Sequence, residues 1–325
     1  MRRLLLLGAL TCLPAVAADG VSLERKGHRI EVQIGGRPFT AFHFGPEATK
    51  PYLHPLRAMD GTVVTRGYPM ERVAGEQTDH PHHRGVWFSH GEVNGVDFWA
   101  NEIEQRARGN KGTIELDRMS AMESGSEEGR IHASFAWNDP TGARLLTERR
   151  LMRFRRSGQD NVVDLDIELT AVADSVHFGD TKEGTFGVRI ATELEEPHLR
   201  AKGMARTGRI VNAEGLSSES GTWGKRSAWV DYSGRIDGKP MGIAIFDHPS
   251  NPKHPTYWHV RGYGLFAANV FGEHDFHADE SRDGGITLAK GEKLRFRYRV
   301  LVHPGRTRDA DLAKKHADWA RNTSR

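Results

Sequence analysis

Four histidines, an aspartate and an arginine fall within the thirteen residues TDHPHHRGVWFSH, positions 78–90. Imidazole titrates near neutral pH and, when neutral, binds transition metals, so this stretch could serve acid/base catalysis or metal binding. In an extended chain alternate side chains share a face, which places His80 and His82 together with Arg84 and turns His83 away. The structural alternative is a tight turn whose histidines bond the loop backbone.

A metal site built on this stretch would use His80, His82 and either His90 or His248, together with a carboxylate. His-x-His offers two imidazoles to one ion, so a divalent metal is an alternative cofactor. The signal is not specific, because the HExxH motif does not accompany it. Pro81 cannot donate to a β-ladder, so the stretch is predicted to be a rim loop that leads into a strand.

The next stretch, GEVNGVDFW at positions 91–99, combines a hairpin signal with polar groups beside aromatic rings. Asn94 is followed by glycine, a strong signal for a tight β-turn. Asp97 and Trp99 alternate around a phenylalanine, and such pairs suit a sugar, which offers hydroxyls at its edge and C–H faces for stacking. Asn94, Asp97 and Trp99 are therefore candidate substrate-binding residues. The alternative is an ordinary hairpin with a buried aromatic residue.

A third stretch, FGDTKEGTFGVRI at positions 178–190, places Lys182 and Glu183 between glycines before a strand. The pair could donate and accept protons or hold a substrate. It could equally be a solvated ion pair of a surface loop, which would contribute little to stability.

The fourth region, positions 223–272, contains WGKRSAWVDYSG and FDHPSNPKHPTYWHVRGYGLFAANVFG. Functional residues concentrate in loops held by rigid scaffolds, and a pocket of such groups would suit a polyhydroxylated ligand. The alternative is a long rim of loops that satisfy their own polar groups. The tripeptide Asp-His-Pro occurs at 79–81 and again at 247–249, which suggests two facing loops on one rim. The candidates from this region are Asp247, His248, Trp258, Arg261 and Asn269.

These stretches give a set of roles for proton transfer on a sugar. His82, His83 and His248 are the first candidates for acid/base catalysis, because imidazole titrates near pH 7. The carboxylates that would orient them or act as base are Asp79, Asp247 and Glu183. The groups that would hold hydroxyls or a developing oxyanion are Arg84, Lys182 and Arg261. Nucleophilic and nucleotide-dependent enzymes are disfavoured, because the sequence has neither G-x-S-x-G nor a glycine-rich loop that opens a helix.

The elements that position these residues read mainly as strands. Four stretches alternate apolar and polar residues with a period of two, which is typical of half-buried antiparallel strands. They are residues 28–36, 130–139, 161–173 and 294–303. Turn residues separate the strands at short intervals, as in sandwiches and barrels. One helix is predicted after Thr307, where Leu312, His316 and Trp319 recur at helical spacing.

The N-terminal residues predict export. Residues 1–17 combine two arginines, a short apolar run and a small-residue cleavage signal, which is the pattern of a signal peptide. The only cysteine, Cys12, lies inside this segment. The mature chain would therefore reach the periplasm or the medium without disulfides, and its stability must come from a hydrophobic core. We expect residues 18–325 to form a single β-sandwich domain.

The charge balance and hydropathy exclude several partners. The formal charge of +3 includes Arg2 and Arg3, and no cluster of five or more basic residues occurs. We therefore expect no nucleic-acid partner. No segment after the predicted signal is apolar enough to span a membrane. The expected partner is a small molecule or a glycan, and the sequence does not indicate an oligomeric state.

Six motifs of the chain resemble the PmoA-type, or methane oxygenase-like, family. They are VTRGYP, TDHPHHRGVWFSHGEVNGVDFW, FGDTKEG, WGKRSAWVDYSG, FDHPSNPKHPTYWHVRGYGLFAANVFG and YRVLVHPG. The resemblance spans nearly the whole mature chain and implies exported carbohydrate metabolism near sugar oxidoreductases. Methane oxidation is not implied, because that activity belongs to an integral membrane protein and this chain has no membrane segment. The family provides no catalytic residues to transfer.

Together the patterns predict an all-β fold, a large antiparallel sandwich similar to the supersandwich of aldose mutarotases and glycan lyases, with a C-terminal helix. The predicted function is that of an exported sugar-active enzyme, an epimerase, lyase or hydrolase that acts on a sugar or oxidised glycoside. A non-catalytic glycan-binding protein and a His-ligated metalloprotein are the alternatives.

Overall fold

The computed structural model describes residues 20–106, 109–197 and 203–322. The predicted signal peptide, residues 1–17, lies outside the described residues. Within them the chain is almost entirely strand, and the predicted antiparallel β-sandwich with a C-terminal helix is confirmed. The strands of the described ranges are β1 (Val21–Lys26), β2 (Arg29–Ile34), β3 (Arg37–His43), β4 (Tyr52–Leu53), β5 (Val86–His90), β6 (Thr113–Glu123), β7 (Glu128–Asn138), β8 (Arg144–Ser157), β9 (Asp160–Ala171), β10 (Ser175–Phe178), β11 (Gly184–Arg189), β12 (Arg209–Asn212), β13 (Trp229–Ile236), β14 (Lys239–Asp247), β15 (Tyr257–Val260), β16 (Leu265–Asn269), β17 (Ile286–Ala289) and β18 (Lys293–Pro304).

Two eight-stranded sheets pack face to face. The first sheet has the order β1-β2-β3-β4-β5-β11-β16-β15, and the second has the order β12-β13-β14-β18-β9-β8-β7-β6. Strands β10 and β17 form a separate pair. Neighbouring strands within the sheets are antiparallel. Strand β11 is the link that joins β5 to β16, although the three are far apart in sequence.

The inner faces of the sheets form the core. On β9 the residues Val163, Leu165, Ile167 and Leu169 are buried in the main apolar cluster, as the period-two pattern predicted. Between the sheets the rings of Phe186 on β11 and Tyr298 on β18 stack with centroids 4.6 Å apart. Side chains alternate along a strand, so the residues between these inward positions face outward.

Four short helices accompany the sheets: α1 (Ile103–Arg106), α2 (Ser218–Thr222), α3 (Glu273–His277) and α4 (Leu312–Asn322). Helix α4 is the predicted C-terminal helix. Its Leu312 and Trp319 pack on Phe246 and Leu301, outward-facing residues of the second sheet. None of the helices in the described ranges has the length and apolar character that crossing a bilayer requires.

The outer face of the first sheet carries a row of residues in register across five strands. Tyr52 pairs with Trp87, Trp87 with Gly187, Gly187 with Ala267, and Ala267 with His259. A Cβ atom at Gly187 would lie 2.6 Å from the indole of Trp87, so glycine is needed where that ring crosses the strand. These residues are buried although they face away from the core, because loops cover this face of the sheet.

Candidate functional site

The histidine-rich stretch is a tight turn and not an extended segment. His80 adopts a left-handed conformation with φ of 46°, and the N–H of His83 donates to the carbonyl of His80 over 3.0 Å. The turn stacks the rings of His80 and His83 with centroids 4.8 Å apart, and it brings the His82 ring to 4.4 Å from that of His83. The predicted separation of His83 from His80 and His82 is therefore wrong, because the period-two argument holds only for an extended chain.

Asp79 and His80 form a hydrogen-bonded pair at the mouth of this site. Nδ1 of His80 lies 2.6 Å from Oδ2 of Asp79, so Nδ1 carries the proton and Nε2 presents a lone pair in the neutral imidazole. Two fully buried guanidinium groups hold the other oxygen of Asp79: Arg66 at 2.6 Å and Arg189 at 3.3 Å. Burial raises the pKa of Asp79, but His80, Arg189 and Arg66 together lower it well below its usual range.

His82 and His83 lie beneath His80 and are almost completely buried. Burial, followed by neighbouring positive charges, lowers the pKa of both imidazoles far below the usual value. Nδ1 of His82 lies 3.2 Å from Nε2 of Gln105, and Nδ1 of His83 lies 3.2 Å from a guanidinium nitrogen of Arg189. Both imidazoles are therefore neutral near pH 7 and are weak proton acceptors.

Glu183 differs from every other carboxylate near the turn. Its side chain forms neither a hydrogen bond nor an ion pair with the described residues, although it is largely buried. Burial raises its pKa; Lys182 opposes the shift and Asp97 adds to it. Gly91 provides the space, because a Cβ atom there would lie 2.9 Å from Cβ of Glu183. An unpaired carboxylate with a raised pKa is suited to proton transfer near neutral pH.

Tyr263 links the turn to Glu183. Its ring stacks on His80 with centroids 5.3 Å apart, and the guanidinium of Arg189 lies 4.8 Å from the centroid of the ring. Burial raises the pKa of Tyr263, while Arg189 lowers it and the charges of Glu183 and Asp79 raise it further. Glu183, Asp79, Arg189 and His80 are therefore within electrostatic range of a single phenol.

The sheet beneath these groups carries polar atoms without partners. Ser89 on β5 and Thr185 on β11 are paired in register, and both face outward because Phe88 and Phe186 beside them lie in the core. Their residues are 0% and 1% exposed, and neither hydroxyl forms a hydrogen bond with the described residues. The other unpartnered atoms on this face are Nε1 of Trp87, Nε1 of Trp99 and Nε of Arg189. Such a concentration of unsatisfied polar atoms is costly to folding and is typical of a functional site.

His259 closes the far side of the same face. Its Nδ1 donates to the carbonyl of Lys182 over 2.8 Å, and its Nε2 accepts from Nε of Arg261 over 3.2 Å. Burial lowers the pKa of His259 to about 4. Arg261 also pairs with Glu219 at 2.9 Å, and Nζ of Lys182 pairs with Asp275 at 3.2 Å. The predicted binding residues Lys182 and Arg261 therefore lie at the rim of the site, each with an acidic partner.

Asp247 and His248 lie elsewhere. Asp247 ends β14 in the second sheet, where its carboxylate accepts from Asn251 at 2.7 Å and pairs with His254 at 2.6 Å. The ring of His248 packs at 5.0 Å from that of Trp319 on α4. The two Asp-His-Pro tripeptides therefore have different contacts: Asp79 bonds Arg66 and Arg189 in the loop before β5, whereas Asp247 ends β14 of the second sheet.

Three further candidates have structural positions. Trp258 is 0% exposed, packs on Phe266 in the core, and donates its Nε1–H to the carbonyl of Ser227. Asn94 occupies an exposed turn with φ of 51° and bonds the backbone of strand β10. Asn269 is fully buried, where its amide bonds the backbone of Thr181 and Phe271. These three side chains are not placed to contact a ligand.

Arg84, Asp97 and Trp99 support the site instead of lining its mouth. Arg84 forms two hydrogen bonds with Glu102, at 3.0 and 2.6 Å. Asp97 accepts from the backbone N–H of Trp99 and pairs with Lys111. The ring of Trp99 is fully buried against Trp87, with centroids 4.9 Å apart, so it offers no open stacking face.

The predicted metal ligands are not brought together. His90 is fully buried on the inner side of β5, where its ring contacts Phe271 at 4.4 Å and its Nε2 bonds the carbonyl of Gly179. His80 and His82 face the opposite side of the sheet. Across the described ranges, the structure contains no group of three or more His, Cys, Asp or Glu side chains arranged to hold a metal ion.

The sequence did not single out Arg66, Arg189, Ser89 or Thr185 as site residues. The sequence does mark Arg189, because it is the charged residue of a strand whose other residues are uncharged, and it lies two residues after the outward-facing Gly187. A fully buried arginine requires acidic or polar partners nearby. Ser89 and Thr185 give no such signal, since hydroxyl residues are common in strands.

Three solved structures resemble parts of this chain at low sequence identity. A comparison with curated proteins found no match. A proposed aldose 1-epimerase from Escherichia coli K12 has a TM-score of 0.38 and 9% identity, over 87% of this chain and 99% of that one. An α-galactosidase from Geobacillus stearothermophilus has a TM-score of 0.38 and 10% identity, over 88% of this chain and 41% of that one. An α-galactosidase from Lactobacillus brevis has a TM-score of 0.37 and 10% identity, over 90% of this chain and 40% of that one. The chain thus spans less than half of each galactosidase.

One family model matches most of the chain, from residue 29 to residue 318. It is not the PmoA-type family, so the assignment based on the six sequence motifs is wrong. The chain belongs to the family of unknown function DUF6807.

Proposed function

We propose that the protein is a sugar-active enzyme that transfers protons between Glu183, His80 and a carbohydrate bound on the outer face of the first sheet. The observation that carries the proposal is Glu183, a largely buried carboxylate with a raised pKa and no partner among the described residues. It lies within electrostatic range of the Asp79–His80 pair, since the charge of His80 is one of the influences on its pKa.

The two groups have complementary roles. Because Asp79 accepts the proton on Nδ1, neutral His80 has a lone pair at Nε2 and can accept a proton from the substrate. Glu183 keeps its proton to a higher pH than an ordinary glutamate and can donate it. An acid and a base on one substrate can open a sugar ring, invert a carbon next to a carbonyl, or eliminate a substituent. Arg66 and Arg189 fix the position of Asp79 and hence of His80.

The carboxylates of the site argue against ordinary glycoside hydrolysis. That reaction commonly uses two carboxyl groups on either side of the glycosidic bond, one as acid and the other as base or nucleophile. Here Asp79, Asp97 and Asp275 are each held by a cation or by backbone N–H groups, and only Glu183 is unpaired. An epimerase or lyase is therefore favoured over a hydrolase.

The polar atoms beneath the site support a carbohydrate ligand. Hydroxyl groups donate and accept hydrogen bonds, so the unpartnered hydroxyls of Ser89 and Thr185 match those of a sugar. The stacked rings of Tyr263 and His80 provide an apolar surface at the mouth.

The test is a turnover screen of free sugars, glycosides and 3-keto-glycosides, with and without chelator. We expect Glu183→Gln to lower kcat by about 10²-fold to 10⁴-fold on any substrate found, because the amide cannot donate the proton. Glu127→Gln, the same change at an exposed position, is the matched control and should retain wild-type activity. Asp79→Asn should shift the pH profile of kcat as well as lower it, since His80 loses its anionic partner.

Three results would contradict the proposal. Full activity of Glu183→Gln would exclude this residue as the acid. Ligand binding without turnover of any bound sugar would favour the glycan-binding alternative. Activity abolished by chelator and restored by one metal would require a different site.

We also propose that the protein is exported through cleavage of residues 1–17. The support is the sequence of that segment, which combines two arginines, an apolar run and small residues before Ala18. N-terminal sequencing of the protein from fractionated cells tests it. A periplasmic or secreted chain that begins near Ala18 is expected, and an intact N-terminus in the cytoplasm would refute it.

A further inference from the structure

The outer face of the second sheet, on the side opposite to the candidate site, carries rows of charged residues. Strand β9 turns Asp164, Asp166 and Glu168 outward between the inward apolar residues. In register, Arg153 of β8 and Arg299 of β18 lie on either side of Asp164. The next two rows are Leu151–Asp166–Arg297 and Arg149–Glu168–Arg295. Each carboxylate of β9 is thus flanked by strands that carry cations.

Every one of these carboxylates is shared by two cations. Asp164 pairs with Arg155 and with Arg299, each at 2.6 Å. Asp166 pairs with Arg295 at 2.7 Å and Arg297 at 3.3 Å, and Glu168 pairs with Arg149 at 2.8 Å and Lys293 at 2.9 Å. Arg153 has no ion-pair partner among the described residues. The other carboxylates at the border, Glu128 and Asp318, pair with cations of their own strand or helix.

The face therefore has an excess of positive charge. Four outward carboxylates of β9, Asp160, Asp164, Asp166 and Glu168, oppose seven cations on β8 and β18, namely Arg149, Arg153, Arg155, Lys293, Arg295, Arg297 and Arg299. The whole chain has a formal charge of only +3, so the positive charge is concentrated here. Like charges crowded on one surface repel one another unless an anion is bound.

The surface is open and grooved. Two adjoining depressions of about 440 and 540 Å³ share Asp166 and Arg295. The side chains of Arg149, Lys293 and Arg295 are 71%, 55% and 50% exposed. Each guanidinium has several N–H donors in a planar fork, so donors remain for a further carboxylate or sulfate.

We propose that this basic face binds an acidic polysaccharide chain, whose carboxylate or sulfate groups pair with Arg149, Arg153 and Arg295. The outward positions of β8, β9 and β18 carry no Phe, Tyr or Trp on which nucleic-acid bases could stack, and Trp319 of α4, which lines one depression, is only 3% exposed. Sheets that bind single-stranded nucleic acid depend on such stacking. Charge complementarity without stacking favours a polyuronate or sulfated glycan.

The test is titration of the full-length protein with oligogalacturonate, using neutral oligogalactan as the uncharged probe. We expect oligogalacturonate alone to bind, more weakly at high salt because surface ion pairs are screened. The double variant Arg149→Gln and Arg153→Gln should bind about threefold to tenfold more weakly, as two exposed ion pairs would contribute. Its matched control, Arg37→Gln with Arg308→Gln, removes the same charge from exposed positions elsewhere and should bind like the wild type.

Three results would overturn the inference. An equal loss in the control variant would mean that only net charge matters. Equal binding of oligogalactan, or no binding of oligogalacturonate by the wild type, would exclude recognition of acidic groups. Competition by single-stranded DNA at lower concentration than oligogalacturonate would identify a nucleic-acid surface. Turnover at Glu183 is not involved, so each result is independent of the proposed function.

Discussion

Replacing Thr185 with valine should separate the function of this residue from its structural role. The Thr185 hydroxyl is buried and has no partner among the described residues, so an isosteric methyl group removes an unsatisfied polar atom from the fold. The cost of burying a hydroxyl without a hydrogen bond is about 1–3 kcal/mol in proteins. Thr185→Val should therefore not lower the free energy of unfolding, and a gain of up to about 1 kcal/mol is expected.

A matched substitution gives the opposite expectation. Thr65 is equally buried, but its Oγ1 accepts a hydrogen bond of 3.0 Å from the backbone N–H of Leu56. Thr65→Val leaves that N–H unpaired and should cost about 1–3 kcal/mol. In thermal melts this corresponds to roughly 2 °C of Tm for each kcal/mol at this chain length.

The activity assay completes the comparison. If the Thr185 hydroxyl bonds the ligand, Thr185→Val should lower kcat/KM by about fivefold to tenfold while the protein melts at or above the wild-type Tm. Thr192→Val removes another buried, unpartnered hydroxyl that is not on this face and should leave kcat/KM unchanged. A loss of stability in Thr185→Val as large as in Thr65→Val would refute the reasoning, because the hydroxyl would then have an internal partner.

Three further predictions follow from buried charges. Lys50→Met should lower the free energy of unfolding by about 3–5 kcal/mol, measured by denaturant titration. The reason is that the fully buried ammonium of Lys50 donates to the Trp99 carbonyl and neutralises the charge of the buried Glu102. An unchanged free energy of unfolding would show that Lys50 is not charged in the folded protein. The raised pKa of Glu183 means that ionisation of this carboxyl destabilises the folded protein. Glu183→Gln should therefore raise Tm at pH values above the pKa of Glu183 in the folded state, and the gain should vanish near pH 4. A gain that is independent of pH would exclude this cause. Burial lowers and Asp231 raises the pKa of His303, with a net rise, so His303→Gln should lose more stability at about pH 6 than at about pH 9; equal losses would refute the linkage.

The strands were predictable because their signal is local. Alternation over 161–173 predicted β9, observed at Asp160–Ala171, and the run 294–303 predicted β18, observed at Lys293–Pro304. The order of strands in the sheets was not predictable in this way. Nothing in the sequence of β11 indicates that it inserts between β5 and β16, since register depends on packing of the finished fold.

The site was predictable in part for the same reason. Residue type alone selected Asp79 and Glu183 for acid/base roles but selected His80 only as a metal ligand, and the structure brings the three within electrostatic range. Residue type failed for His248, which has the same Asp-His-Pro context as His80 but belongs to the second sheet. Burial distinguishes the histidines of the turn from one another. His80 and His82 are two residues apart, but their exposure differs, and that difference arises only in the folded turn.

Strand β11 has a consequence for how the protein folds. It supplies Thr185 and Arg189, follows directly after Glu183, and is the strand through which β5 and β16 are connected. The turn at Asp79 and the tyrosine at 263 are thus held in place only after β11 has paired with β5 and β16, which lie roughly 80 to 100 residues away along the chain. Closing such long loops is slow, so the candidate site should form late in refolding, after most secondary structure has formed. A chain cut between β5 and β11 should lose the candidate site while it keeps much of its strand content.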